Sequence, residues 1–80
     1  MMVEAPNKLG AFLRESREKK GLSQEALARR VGVTQGAISQ FELGEARPSA
    51  RVLWRLSREL GVSMETLMNL WEAEEAAHEA

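Results

Sequence analysis

Apolar residues recur at helical spacing along most of this chain. Leu9, Phe12 and Leu13, with Ser16, fall at i, i+3, i+4 and i+7. They predict a first helix over about 7–20, with Asn7 as its N-cap. A second helix is expected over about 24–31. Ala37, Ile38 and Phe41 mark the inner side of one over about 35–43. Leu53, Leu56, Ser57 and Leu60 predict a helix over about 50–60. Met64, Leu67, Met68 and Trp71 predict one over about 64–76. The chain therefore reads as an all-α, compact five-helix bundle.

The junctions repeat one pattern: Gly21-Leu22-Ser23, Gly32-Val33-Thr34 and Gly61-Val62-Ser63. Each glycine can take the left-handed position that ends a helix. Each Ser or Thr then caps the next helix. Counted from those caps, Leu27, Ile38 and Leu67 are the N4 residues, each placed to pack on the apolar residue before its cap. Three such staples predict sharp, rigid turns. The stretch Gly44-Glu45-Ala46-Arg47-Pro48 is the one real loop, and Ser49 caps the helix after it.

Eighty residues make one domain. Residues 1–6 read as a flexible leader, 7–71 as the folded domain, and 72–80 as an acidic helix extension or frayed tail. The net charge of −1 hides a split: residues up to Trp71 sum to +3, and those after it to −4. The body is mildly basic, so the acidic balance of the whole does not exclude nucleic acid as a partner. There is no Cys, Asp or Tyr, and His78 is the only histidine. That composition argues against a catalytic triad, a thiolate metal site or an EF-hand, and the expectation is no enzyme, no cofactor and no small-molecule ligand. The N-terminus lacks the apolar stretch of a signal peptide and no run is long enough to span a membrane, so a cytoplasmic protein is expected.

At 100° per residue, helix 35–43 has two sides. Ala37, Ile38 and Phe41 face the core. Gln35, Gly36, Ser39, Gln40 and Leu43 face away. This outer face has long amides and no charge, as a surface reading hydrogen-bond patterns would. Gln pairs bidentately with adenine in the major groove, and Ser bonds either way. Gln35, Ser39 and Gln40 are the expected base-reading residues. Gly36 is costly in a helix by about 1 kcal/mol; close backbone approach to DNA or simple tolerance near a helix start would each account for it.

From residue 8 to 70 the chain resembles the lambda repressor/Cro-type, or XRE-type, helix-turn-helix transcriptional regulators. With Gln24 as the first position of the motif, the small crossing residue is Ala28, the turn glycine is Gly32, and Leu27, Val31, Val33, Ile38 and Phe41 are the buried positions. The flanking ELGEARPS and LSRELGVSMETL match too. The resemblance implies a lambda repressor-like bundle and gives roles to matching residues. Gln24, Thr34 and Arg47 would meet DNA phosphates, and Arg51, in the first turn of its helix, is placed to help. Arg17 and Glu42 would form a partly buried ion pair bracing the recognition helix. Glu45 and Leu43 depart from the pattern, where relatives often carry a cation and a polar residue, so a weaker phosphate grip and a shallow salt dependence are expected.

The leading expectation is a homodimeric, sequence-specific transcriptional regulator, acting as a repressor on a palindromic operator and nucleoid-associated when bound. Two alternatives stand beside it: an antitoxin-type autorepressor with a toxin partner, and a protein–protein module that kept the fold and lost DNA. Trp54, Met64, Met68 and Trp71 are either core or a dimer or partner surface.

Overall fold

A computed structural model describes the backbone of residues 8–79 and the side chains of residues 8–74. Five helices follow one another: α1 Lys8–Lys19, α2 Gln24–Val31, α3 Gln35–Leu43, α4 Ala50–Leu60 and α5 Met64–Glu79. The leader and the cap expected at Asn7 lie outside the described residues. Helix α5 continues to Glu79, three residues past the expected end, through a run of Ala and Glu that favours helix.

The junction chemistry is as the sequence predicts. Ser23, Thr34, Ser49 and Ser63 each accept a hydrogen bond from the backbone N–H three residues on, at 3.0–3.2 Å. Gly32 has φ 78° and closes α2, its N–H donating to the Ala28 carbonyl at 2.9 Å. The Val33 N–H donates to the same carbonyl at 3.0 Å. Two donors on one acceptor turn the chain within two residues, so α3 leaves α2 at a set angle. The staple residues Leu22, Val33 and Val62 are half-buried against the core.

The core is aliphatic. Leu27, Val31, Ile38, Leu53, Leu56 and Leu67 are fully buried, and Leu9, Leu13, Ala28 and Leu60 nearly so. Truncating such a leucine to alanine costs about 2–5 kcal/mol. Helix α3 packs on both α1 and α2, while α4 and α5 close the other side. Phe12, Phe41, Met64, Met68 and Trp71 are half-buried around this centre.

Two contacts were not anticipated from the sequence. Gly10 is buried where α1 crosses α3, and a Cβ there would lie 2.4 Å from the Phe41 carbonyl oxygen and 2.5 Å from that of Glu42. Only glycine lets the two backbones approach so closely. In addition, the Leu9 N–H donates to Glu74 Oε2 at 2.8 Å. The acidic extension thus folds back to cap α1, where a carboxylate also suits the helix dipole.

Gly10→Ala should be strongly destabilising, because the atoms in the way are backbone. Overpacking of this kind costs about 1–3 kcal/mol or more, so the melting temperature should fall by at least about 4–8 °C. Circular dichroism melts of the two proteins check it; equal midpoints would show that α1 and α3 can slide apart at no cost.

Candidate nucleic-acid interface

Helix α3 is held at both ends. Thr34 caps its start through Oγ1, and Gly44, at φ 78°, ends it. Ile38 and Glu42 are its buried residues. Glu42 is a carboxylate only 6 % exposed, so its placement needs partners. Arg17 of α1 supplies them. Its Nε donates to Glu42 Oε2 at 2.7 Å and its Nη2 to Glu42 Oε1 at 3.1 Å, a bidentate fork. Its Nη1 donates to the Leu22 carbonyl at 2.8 Å, at the turn into α2. The hydrogen bond to Glu42 raises the Arg17 guanidinium above its ordinary range; burial works against this, and the charges of Glu42 and Glu18 support it. Arg17 is therefore charged at any working pH.

The chain of bonds goes on outward. Gln24 Nε2 donates to Glu42 Oε1 at 2.9 Å. Gln35 Nε2 donates to Gln24 Oε1 at 2.7 Å. A single series thus runs from the buried arginine of α1, through the foot of α3 and the start of α2, to the exposed first residue of α3. The Glu42 carboxylate turns the Gln24 carboxamide, which in turn orients that of Gln35. Gln35 uses one N–H on Gln24 and keeps the other N–H and its Oε1 for an outside group. That donor–acceptor pair matches the edge of adenine in the major groove.

The remaining outer residues of α3 lie where the sequence pattern puts them. Gln35, Gly36, Gln40 and Leu43 are exposed and Ser39 is half-buried. A Cβ on Gly36 would meet nothing nearer than Thr34 Oγ1 at 3.9 Å. The protein's own packing therefore does not require glycine there. Thr34 spends its oxygen lone pair on the Ala37 N–H at 3.0 Å, which leaves its hydroxyl proton to donate. Arg51 is exposed in the first turn of α4.

Arg47 is engaged within the protein. Its guanidinium lies over the Trp71 ring, 4.3 Å from the centroid, and its Nη2 donates to the Trp71 carbonyl. To reach a phosphate it would have to leave that stack. Arg47 thereby ties the α3–α4 loop to α5, which the sequence did not suggest. Gln24 carries a bridging role beyond the phosphate contact expected of it. The buried Gly10 did leave a signal, since it shares the inward side of α1 with Leu13 and Arg17.

The four residues read as core or partner surface differ in exposure. Met64, Met68 and Trp71 are half-buried against it. Trp54 is 49 % exposed. Arg58 stands 5.0 Å from its ring centroid, and the two line a groove of about 250 Å³ with Arg29, Arg30, Arg55 and Glu59.

A helix-turn-helix family model (HTH_3) matches residues 13–67. A prophage-derived, uncharacterised HTH-type transcriptional regulator of Bacillus subtilis, YonR, is 37 % identical over 59 residues, covering 74 % of this chain and 55 % of its own. An uncharacterised HTH-type transcriptional regulator of Mycobacterium tuberculosis is 43 % identical over 58 residues, covering 72 % of this chain and 41 % of its own. The chain thus spans about half the length, or less, of these curated relatives. Among solved structures, the P22 c2 repressor in complex with a synthetic operator superposes with a TM-score of 0.71 at 39 % identity, over 74 % of this chain and 89 % of the repressor chain.

Arg17→Ala should lower stability by about 3–5 kcal/mol, because the buried Glu42 charge loses its counter-ion. Replacing both partners with apolar residues, Arg17→Met with Glu42→Leu, should cost less than that single change. Urea unfolding of the three proteins measures the difference. An Arg17→Ala midpoint equal to the parent's would rule out the pair as the brace of α3.

Proposed function

The chain belongs to the helix-turn-helix family of DNA-binding transcriptional regulators, and from that membership we propose that it acts as a homodimeric, sequence-specific repressor. In this reading α3 enters the major groove, with Gln35, Ser39 and Gln40 on base edges. Thr34, Gln24 and Arg51 meet the flanking phosphates, helped by the N-terminal dipole of α2. Two copies related by a two-fold axis place their α3 helices about 34–36 Å apart, on successive major grooves of a palindromic site.

The observation that carries the reading is the bonded series ending at Gln35. An exposed glutamine is ordinarily free to rotate, and ordering it on binding costs about 1–2 kcal/mol of side-chain entropy. Here it is oriented before any ligand arrives. Gly36 supports the same reading, since the space beside it is open and nothing inside the protein explains it.

The phosphate grip is modest in this proposal. Glu45 and Leu43 are both exposed and neither binds an anion, and Arg47 is engaged with Trp71. Few released counter-ions mean a shallow fall of affinity with salt. A protein partner, a toxin included, is the second reading, and the half-exposed Trp54 among its arginines is the surface that favours it. On either reading the protein works in the cytoplasm, on the nucleoid when bound. Among the described residues no helix is long and apolar enough to cross a membrane.

Selection of bound sequences from random duplex DNA tests the proposal. It should return a palindrome whose half-site spacing reports the dimer; no enrichment at low salt rejects sequence-specific binding. Gln40→Ala should then lower affinity for the selected site by about 1–3 kcal/mol and relax preference at one base position. A uniform loss on all sequences would instead place Gln40 on phosphate. Gly36→Ala should leave the fold intact, or stabilise it by up to about 1 kcal/mol, while weakening DNA binding. A thermal melt beside a DNA titration separates those two effects.

A further inference from the structure

Leu43 has no explanation in the fold. It is 58 % exposed, and with Trp54 it makes up the exposed large apolar residues among those described. It ends α3 and contributes nothing to the core. At 100° per residue it points between Ser39 and Gln40, in line with Gly36 two turns earlier, roughly 10 Å away along the axis. A strip of the reading face is therefore bare at Gly36 and apolar at Leu43, with amides on either side.

The surroundings of Leu43 do not suit a phosphate. It borders a groove of about 430 Å³ lined by Ala11, Arg14, Glu15, Glu18 and Glu42. Arg14 is paired with Glu18 at 3.2 Å, and Glu15 adds a second exposed carboxylate to the rim. Such an edge repels a phosphate and offers an apolar group a favourable contact at Leu43. In the major groove the only apolar group on the base edges is the C5-methyl of thymine.

We propose that Leu43 is a specificity-determining residue that selects a thymine by packing on its C5-methyl group. This rests on the proposed entry of α3 into the major groove, and it deepens that reading by naming a base selected through its methyl group and not through a hydrogen bond. The residue that weakens the grip on the DNA backbone would then add discrimination between sequences.

The test uses the full chain and the duplex it enriches from random DNA, with each dT replaced in turn by deoxyuridine, which lacks only the methyl. For the parent protein, one replacement per half-site should lower affinity about fourfold, the factor expected for one methyl withdrawn from water. Leu43→Ala should bind the unmodified duplex about fourfold more weakly and be indifferent to that same replacement. Its melting temperature should match the parent's, since the side chain is exposed. Two results overturn the proposal: a parent protein indifferent to every replacement, or a Leu43→Ala loss that is the same on dT and deoxyuridine duplexes. If no sequence is enriched at all, the major-groove reading itself fails. An enriched site without methyl dependence removes only the role of Leu43.

Discussion

The arrangement of the outer face of α3 depends on one buried ion pair. Glu42 sits on the inner side of α3, where an unpaired carboxylate would be intolerable. Arg17 makes it tolerable by a two-point fork. Such a pair adds little net stability compared with a well-packed apolar pair, because both ions lose their water. An apolar pair, however, would have no oxygen to present to Gln24. The value of the charge lies in what it orients. Glu42 Oε1 accepts from both Arg17 and Gln24, and Gln24 in turn holds Gln35. A polar series begun in the core ends as a directed amide at the surface.

That series can act only if the three helices it joins keep their relative positions. Each junction meets this need by a different local device. The α2–α3 turn is closed by two N–H donors on the Ala28 carbonyl and by the Val33 staple. The α1–α3 crossing is set by Gly10, where the backbones nearly touch. The loop after α3 is tied down by Arg47 on Trp71. Glu74, in turn, fastens α5 to the start of α1. The acidic extension is thus part of the body at least as far as Glu74.

Most of the fold was legible in the sequence because its signals are local. Gly21, Gly32 and Gly61 take positive φ as the punctuation predicts, and the Ser and Thr caps bond within three residues of themselves. The core positions of α4, Leu53, Leu56 and Leu60, follow from helical period alone. The outer side of α3 was legible too: Gln35, Ser39 and Gln40 lie on it because 100° per residue places them away from Ile38. The Arg17–Glu42 pair, 25 residues apart, came only from the resemblance to a known family. No period or cap could have joined the two.

What the chain determined by itself was therefore every feature whose cause lies within a few residues: helix ends, turn angles, inner and outer faces, and the uncharged character of the outer face of α3. What tertiary structure alone decided was which of those surfaces touch. It gave Gln24 a bridging role between Glu42 and Gln35, placed Arg47 on a tryptophan, used Glu74 as a cap and made Gly10 a crossing point. It left Trp54 and Leu43 uncovered while Trp71 was drawn inward. Such outcomes depend on atoms from distant segments meeting within a few ångströms. That is fixed by how five helices pack together, and no single helix carries the information.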